Sequence, residues 1–166
     1  MNQPPVIQIV GYKKSGKTTL VCHLVQEFMA QQLQIGTIKH DAHQLRFDGT
    51  DTDTWKHSRA GAQVTAVTSA EQTVIFKQQS TLLADLIATM DGMDLVIVEG
   101  FKYESYPKVV LIRHQEDLSL LTDLSHIIAV VSWFPLDVEE MGIPAWTWGQ
   151  MDGLAEWILH EMGVRR

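Results

Sequence analysis

The chain has 166 residues, a comfortable length for one α/β domain with a proper core. Apolar residues make up 45% and charged residues 20%, which argues against disorder for the chain as a whole. A formal charge of −7 leaves no net positive field to attract nucleic acid, and no apolar stretch approaches the roughly 20 residues that span a bilayer. The first residues, Met-Asn-Gln-Pro-Pro, lack the basic start and apolar run of a signal peptide, so the expectation is a cytoplasmic protein. The single cysteine, Cys22, falls in an apolar helical pattern and is expected to be a small buried hydrophobe.

In chain order, Val6–Val10 is a short β-like run ending in Gly11. Helical spacing continues from Lys17 to about Gln32, with Leu20, Cys22–Leu24, Phe28 and Met29 as its apolar face. Ile35–Ile38 is a second β-like run. Asp41 to Thr54 is polar, carries one His and four Asp, and reads as a long functional loop. A short helix is predicted over Thr52–Ala60, stopped by Gly61. Val64–Thr68 and Thr73–Phe76 pair as a predicted hairpin through Ser69–Gln72, and Thr81–Met90 has helical spacing. Leu95–Val98, Val109–Ile112 and Ile127–Val131 are further strand candidates, and Leu154–Met162 is a closing amphipathic helix.

Strands alternating with helices predict a single α/β domain over residues 1–166, with a mainly parallel sheet flanked by helices. Val64–Phe76 and Val109–Ile112 are expected as a possible antiparallel β extension, whose edges could serve a second chain.

Gly11-Tyr-Lys-Lys-Ser-Gly-Lys-Thr18 fits G-x-x-x-x-G-K-[ST] at every fixed position, after a β-like run and before a helix. Gly11 and Gly16 let the backbone curl so that N–H groups, Ser15 among them, face phosphate oxygens. The helix start adds its positive dipole end. Lys17 can reach the β- and γ-phosphates, and the Thr18 hydroxyl can ligate Mg²⁺. Lys13 and Lys14 lie on the loop, where their ammonium groups can approach the terminal phosphate or remain solvated.

In open α/β sheets ligands collect outside the carboxyl ends of the strands. The residues immediately after the apolar runs are the P-loop, then Lys39-His40-Asp41, then Glu99-Gly100, then Ser132. Asp94 and Glu99 flank one run, about 16 Å apart along a strand, so only Glu99 shares an edge with the P-loop. Glu99 is therefore the candidate to face Mg²⁺ or to orient an attacking water. His40 and His43 have H-x-x-H spacing but no evident third metal ligand. Asp51 and Asp53 are further acidic loop candidates. Trp157 is at core spacing, whereas Trp133 at the ligand edge could stack on a base.

Four pieces together carry a resemblance: Gly11-Tyr-Lys-Lys-Ser-Gly-Lys-Thr-Thr-Leu20, Lys39-His-Asp-Ala-His43, Asp53 leading to Arg59-Ala-Gly-Ala62, and Asp94-Leu-Val-Ile-Val-Glu-Gly-Phe-Lys102. The chain resembles the molybdopterin-guanine dinucleotide biosynthesis adaptor protein B (MobB) family over roughly residues 5 to 132. The resemblance implies a homodimeric GTP-binding protein, at most a slow Mg²⁺-dependent GTPase, working beside the molybdopterin guanylyltransferase. Carried over by position, it implies that Gly11, Gly16, Lys17, Thr18 and Thr19 hold phosphate and Mg²⁺, that Glu99 faces the metal, and that Lys39 and His40 line the site. Two departures stand out. Asp51-Thr-Asp-Thr54 replaces a Pro-Gly-Lys-Asp-Ser-like turn, and Trp133 replaces a frequent aspartate, the natural acceptor for guanine N1–H and N2–H. No Asn-Lys-x-Asp element is present. A P-loop small-molecule kinase using ATP, or a nucleotide-ordered binding module without turnover, are the alternatives.

Overall fold

A computed structural model describes residues 3–41 and 52–164. The chain divides into two compact units, Met1–His40 with Leu86–Arg166, and Asp41–Asp85.

The larger unit is built on a six-stranded sheet. Its strands are β1 (Val6–Val10), β2 (Ile35–Lys39), β5 (Leu95–Glu99), β6 (Lys108–Ile112), β7 (Ile127–Ser132) and β8 (Ala145–Thr147). They lie in the order β2-β5-β1-β6-β7-β8, and every pairing is parallel. β1, β5 and β6 are buried along their whole length, as strands covered on both faces must be. The period-2 rule sorts their side chains. Ile7, Ile9, Leu95, Ile97, Val109, Leu111, Ala129 and Val131 join one core with Leu20, Leu24 and Phe28 of α1 (Lys17–Ala30) and Leu154 and Ile158 of α5 (Leu154–Glu161). Val10, Val110, Ile112 and Val130 join the other with Leu120 and Leu121 of α4 (Ser119–Asp123).

Two expectations need correction here. Val109–Ile112 is no antiparallel extension and offers no edge; as part of β6 it lies between β1 and β7, parallel to both. An unbroken apolar run carries no alternation, so its pattern is the same whichever way its neighbours run. Cys22 is exposed, as is Met29. The buried stripe of α1 is Leu20, Val21, Leu24 and Phe28, and Cys22 is turned off that stripe by helical geometry. Strand β8 gives no sequence signal, since three residues are too short a run to show a period.

The smaller unit holds α2 (Asp53–Arg59) and an antiparallel hairpin of β3 (Val64–Thr68) and β4 (Thr73–Lys77), paired as expected. Thr52 caps α2 by accepting from the Trp55 amide at 3.2 Å. The Ser69 hydroxyl accepts from the amides of Glu71 and Gln72 and so closes the hairpin turn. The helix expected over Thr81–Met90 is the shorter α3 (Leu83–Ala88). Most of the Asp41–Thr54 loop, including His43 and Asp51, lies outside the described residues.

Candidate nucleotide site

Successive connections leave β1 towards β2 and β5 on one side and reach β6, β7 and β8 on the other. The crevice at such a switch point is where open α/β sheets bind ligands. The loop after β1 fills it. Gly16, with φ of 101°, starts α1 without a side-chain cap, and the first turn carries no acidic residue. The amides there are free to meet an anion.

Both glycines are required by their surroundings. A Cβ at Gly11 would lie 2.7 Å from Ser15 Oγ, and one at Gly16 would lie 2.8 Å from the Trp148 ring. The Ser15 hydroxyl is buried and has no hydrogen-bond partner among the described residues. Lys17 Nζ donates back to the carbonyls of Gly11 at 3.1 Å and Tyr12 at 2.7 Å. Its pKa is held below the ordinary 10.5, first by burial; Glu99 opposes the shift, and Lys39 and Lys102 add to it. An ammonium crowded by other cations, an unsatisfied buried hydroxyl and an uncapped helix start together fit a polyanion such as triphosphate.

On the β5–β2 side, Glu99 ends β5 and is buried. Thr18 Oγ1 donates to its two carboxylate oxygens at 2.9 and 3.0 Å. Lys39, at the end of β2, donates from Nζ to Glu99 Oε1 at 2.9 Å and to Thr18 Oγ1 at 3.0 Å. A threonine hydroxyl beside a buried carboxylate at the head of the phosphate loop is a donor set suited to Mg²⁺, directly or through water. Asp94 stands at the opposite end of the strand, where its carboxylate accepts from the Gln34 amide at 2.7 Å. Among the described residues no group of three His, Cys, Asp or Glu is arranged to hold a metal by itself.

The His40 ring lies against Phe101, with centroids 4.6 Å apart and planes tilted by 43°, and Phe101 adopts φ of 52° just after Gly100. The next segment is fixed from beneath by polar side chains that carry no sequence signal. Buried Gln8 donates to the carbonyls of Gly100 and Phe101, at 3.1 and 2.7 Å. Buried Lys108, its register partner on β6, donates to those of Glu104 and Tyr106. The loop so held carries Lys102, whose Nζ lies 4.8 Å from the centre of the Tyr12 ring on the P-loop.

The opposite flank of the P-loop is gripped by residues beyond the ends of β6, β7 and β8. Arg113 donates from its guanidinium to the Lys14 carbonyl, at a residue with φ of 62°. Buried Asp117 aims that arginine by accepting from the amides of Arg113 and His114, at 2.8 and 3.0 Å. Trp133 donates from its indole N–H to the Ser15 carbonyl at 3.0 Å. Trp148 stacks on Trp133, with centroids 4.6 Å apart and planes 8° apart, and abuts Gly16. Arg113 also lies over the Trp133 ring at 4.9 Å. The position of Arg113 directly after Val109–Ile112 is the signal that could have found it, as another strand end. Trp148 has no such signal. Trp157 packs against the core and donates its N–H to the Ile128 carbonyl.

A parallel sheet, a glycine loop between β1 and α1, and a carboxylate at the end of a neighbouring strand define the class: this is a P-loop NTPase fold. Residues 6–133 match the model of molybdopterin guanine dinucleotide synthesis protein B. The chain is 31% identical over 99% of its length to the molybdopterin-guanine dinucleotide biosynthesis adapter protein of Haemophilus influenzae, covering 95% of that protein. It is 34% identical over 84% of its length to a probable adapter protein of the same description from Bacillus subtilis, covering 83% of it. The crystal structure of a MobB protein homolog from Bacillus stearothermophilus superposes with a TM-score of 0.75 at 32% identity, covering 96% of this chain and 99% of the other. The chain belongs to the MobB family.

Proposed function

We propose that this protein is a GTP-binding adapter in molybdenum cofactor maturation, assisting the guanylyltransferase that attaches GMP to molybdopterin. The observation that supports it most is the Thr18–Glu99–Lys39 cluster at the head of a glycine loop, in a member of this family. The loop amides and Lys17 bind the phosphates, with Gly11, Ser15, Gly16, Thr18 and Thr19 forming the cradle. Lys17 does so by exchanging its two carbonyl acceptors for phosphate oxygens. Lys13 and Lys14 add cationic charge near the terminal phosphate, and His40 lines the site beside Glu99. Mg²⁺, when bound, would neutralise charge shared by the β- and γ-phosphates. Thr18 and Glu99 would hold it, and Lys39, already on both, would release them to do so. Glu99 is the group to orient a water, and with Arg113 engaged on the Lys14 carbonyl no arginine finger is supplied among the described residues of the larger unit, so turnover is slow.

Calorimetric titration with GTP and ATP, with and without Mg²⁺, tests this. We expect Mg²⁺ to tighten GTP binding by about 10-fold in the wild type, and Glu99→Gln to remove that gain while metal-free binding persists. Metal-independent binding in both proteins would sink the assignment of Glu99 and Thr18. ATP bound more tightly than GTP would favour the kinase reading. Among the described residues of the larger unit, however, Arg113 is the arginine present, and it is engaged with the P-loop backbone instead of a lid.

A cytoplasmic homodimer completes the reading. Sedimentation at micromolar concentration should give the mass of two chains; a one-chain mass would remove the dimer.

A further inference from the structure

The loop that follows β5 is held in a shape that the core supports at a cost. Gly100 and Phe101 both take positive φ, 93° and 52°. Beneath them the fully buried Gln8 and Lys108 place their donors on four carbonyls of this loop, those of Gly100, Phe101, Glu104 and Tyr106. An ammonium inside a sheet is unfavourable, and burial pushes the Lys108 pKa below its ordinary 10.5, with Glu104 opposing. Packing alone would be served better by apolar side chains, so the demand comes from the loop. Lys102 rides on it, with Nζ 4.8 Å from the centre of the Tyr12 ring and 5.1 Å from that of Tyr103. Among the described residues no carboxylate pairs with Lys102, in contrast to Lys39. Lys17 accordingly feels one negative charge, from Glu99, and two further positive ones, from Lys39 and Lys102.

Resting on the triphosphate-binding reading above, we propose that Lys102 is a specificity-determining residue that contacts the terminal phosphate and so separates GTP from GDP. Lys17 and Thr18 serve the β- and γ-phosphates together, from the head of α1. Lys102 approaches from the β5 side, where Thr18 meets Glu99, and over Tyr12 near the start of the loop. A γ-phosphate brings its additional negative charge to this cluster of ammonium groups, and a diphosphate does not. Two tyrosine faces hold the Lys102 ammonium at the rim without neutralising it, because a ring quadrupole carries no net charge. The cation exchanges a ring for a phosphate oxygen, as Lys17 exchanges its carbonyls, and the charge-assisted hydrogen bond is the stronger contact. Gln8 and Lys108 keep the loop backbone in place meanwhile, so rotation of one side chain is enough to reach the ligand.

The test is calorimetry of GTP and GDP, with Mg²⁺ present, on the wild type, Lys102→Met, Lys102→Arg and Lys17→Ala. The wild type should prefer GTP to GDP by about 10-fold or more. Lys102→Met, similar in length but uncharged, should lose about 10-fold for GTP and less than about 2-fold for GDP, which removes the preference. Lys102→Arg should stay within about 3-fold of the wild type for GTP, because the charge is kept. Equal losses for the two nucleotides in Lys102→Met would reduce Lys102 to a contributor to the general field and overturn the inference. So would unchanged GTP affinity, a wild type that binds GDP as tightly as GTP, or Lys102→Arg as weak as Lys102→Met. The parent reading fails by a different sign: a wild type that binds neither nucleotide more tightly than Lys17→Ala would overturn the phosphate site itself, and the role of Lys102 with it.

Discussion

Lys17→Ala is expected to weaken GTP binding on the order of 100-fold, equivalent to about 3 kcal/mol, because a desolvated cation–phosphate contact is lost. The ligand-free protein should melt within about 2 °C of the wild type, and the reason is electrostatic. Burial depresses the Lys17 pKa, so the folded chain releases this proton at lower pH than the unfolded chain. Below that window both states carry the charge, and the folded state bears the cost of holding it among Lys39 and Lys102. Stability rises with pH only as the folded pKa is crossed toward 10.5. At neutral pH the empty loop therefore gains little from Lys17, and its removal costs little. Thermal melts with and without GTP check both halves. Ligand at 100 times Kd stabilises the wild type by about 2.7 kcal/mol, and the variant should show almost none of this at the same concentration. A variant with an undiminished GTP shift would show that Lys17 does not contact the phosphates.

Gly16→Ala should be damaging to both stability and binding. The residue sits at φ of 101°, a region that costs a side-chain-bearing residue about 1–3 kcal/mol. Its Cβ would lie 2.8 Å from Trp148 Cη2 and 3.1 Å from Cζ3, in a ring already stacked on Trp133. Relief requires either the indole pair to move or the loop to unwind, and each disturbs the Ser15 and Gly16 amides. We expect the melting midpoint to fall by about 2–4 °C per kcal/mol of that strain, and GTP affinity to fall at least about 10-fold. Gly16→Ala combined with Trp148→Ala should regain part of the stability, because the overlap is gone while the φ strain remains. A single variant as stable as the wild type would mean the glycine answers to no steric demand.

The two variants divide the site according to what is local in the chain. Lys17 is legible because the whole proposed phosphate cradle is contiguous: one octapeptide supplies the turn glycines, the amides, the ammonium and the hydroxyl. Glu99, Lys39 and His40 are legible because strand ends in a parallel sheet share an edge, so position after an apolar run is enough to place them. Gly16 is legible as a turn residue, but its conflict with Trp148 is not. Trp148 is far along the chain, behind a strand of three residues, β8, too short to announce itself. Arg113 escapes notice because Val109–Ile112, read as an antiparallel extension, would end away from the phosphate edge. Cys22 reads as buried because an apolar residue near a helical stripe has the same pattern whether it lies on the stripe or beside it.

By itself the sequence determined the glycine loop between a strand and a helix, the parallel α/β class and the carboxylate at the same sheet edge, because short spacings and local periodicity encode each of these. Only the tertiary structure decided strand order and which side chains converge from the ends of β6, β7 and β8 on Lys14, Ser15 and Gly16. Strand order is set by which buried faces pack together, an energy summed over residues distant in the chain, and no local pattern records that sum.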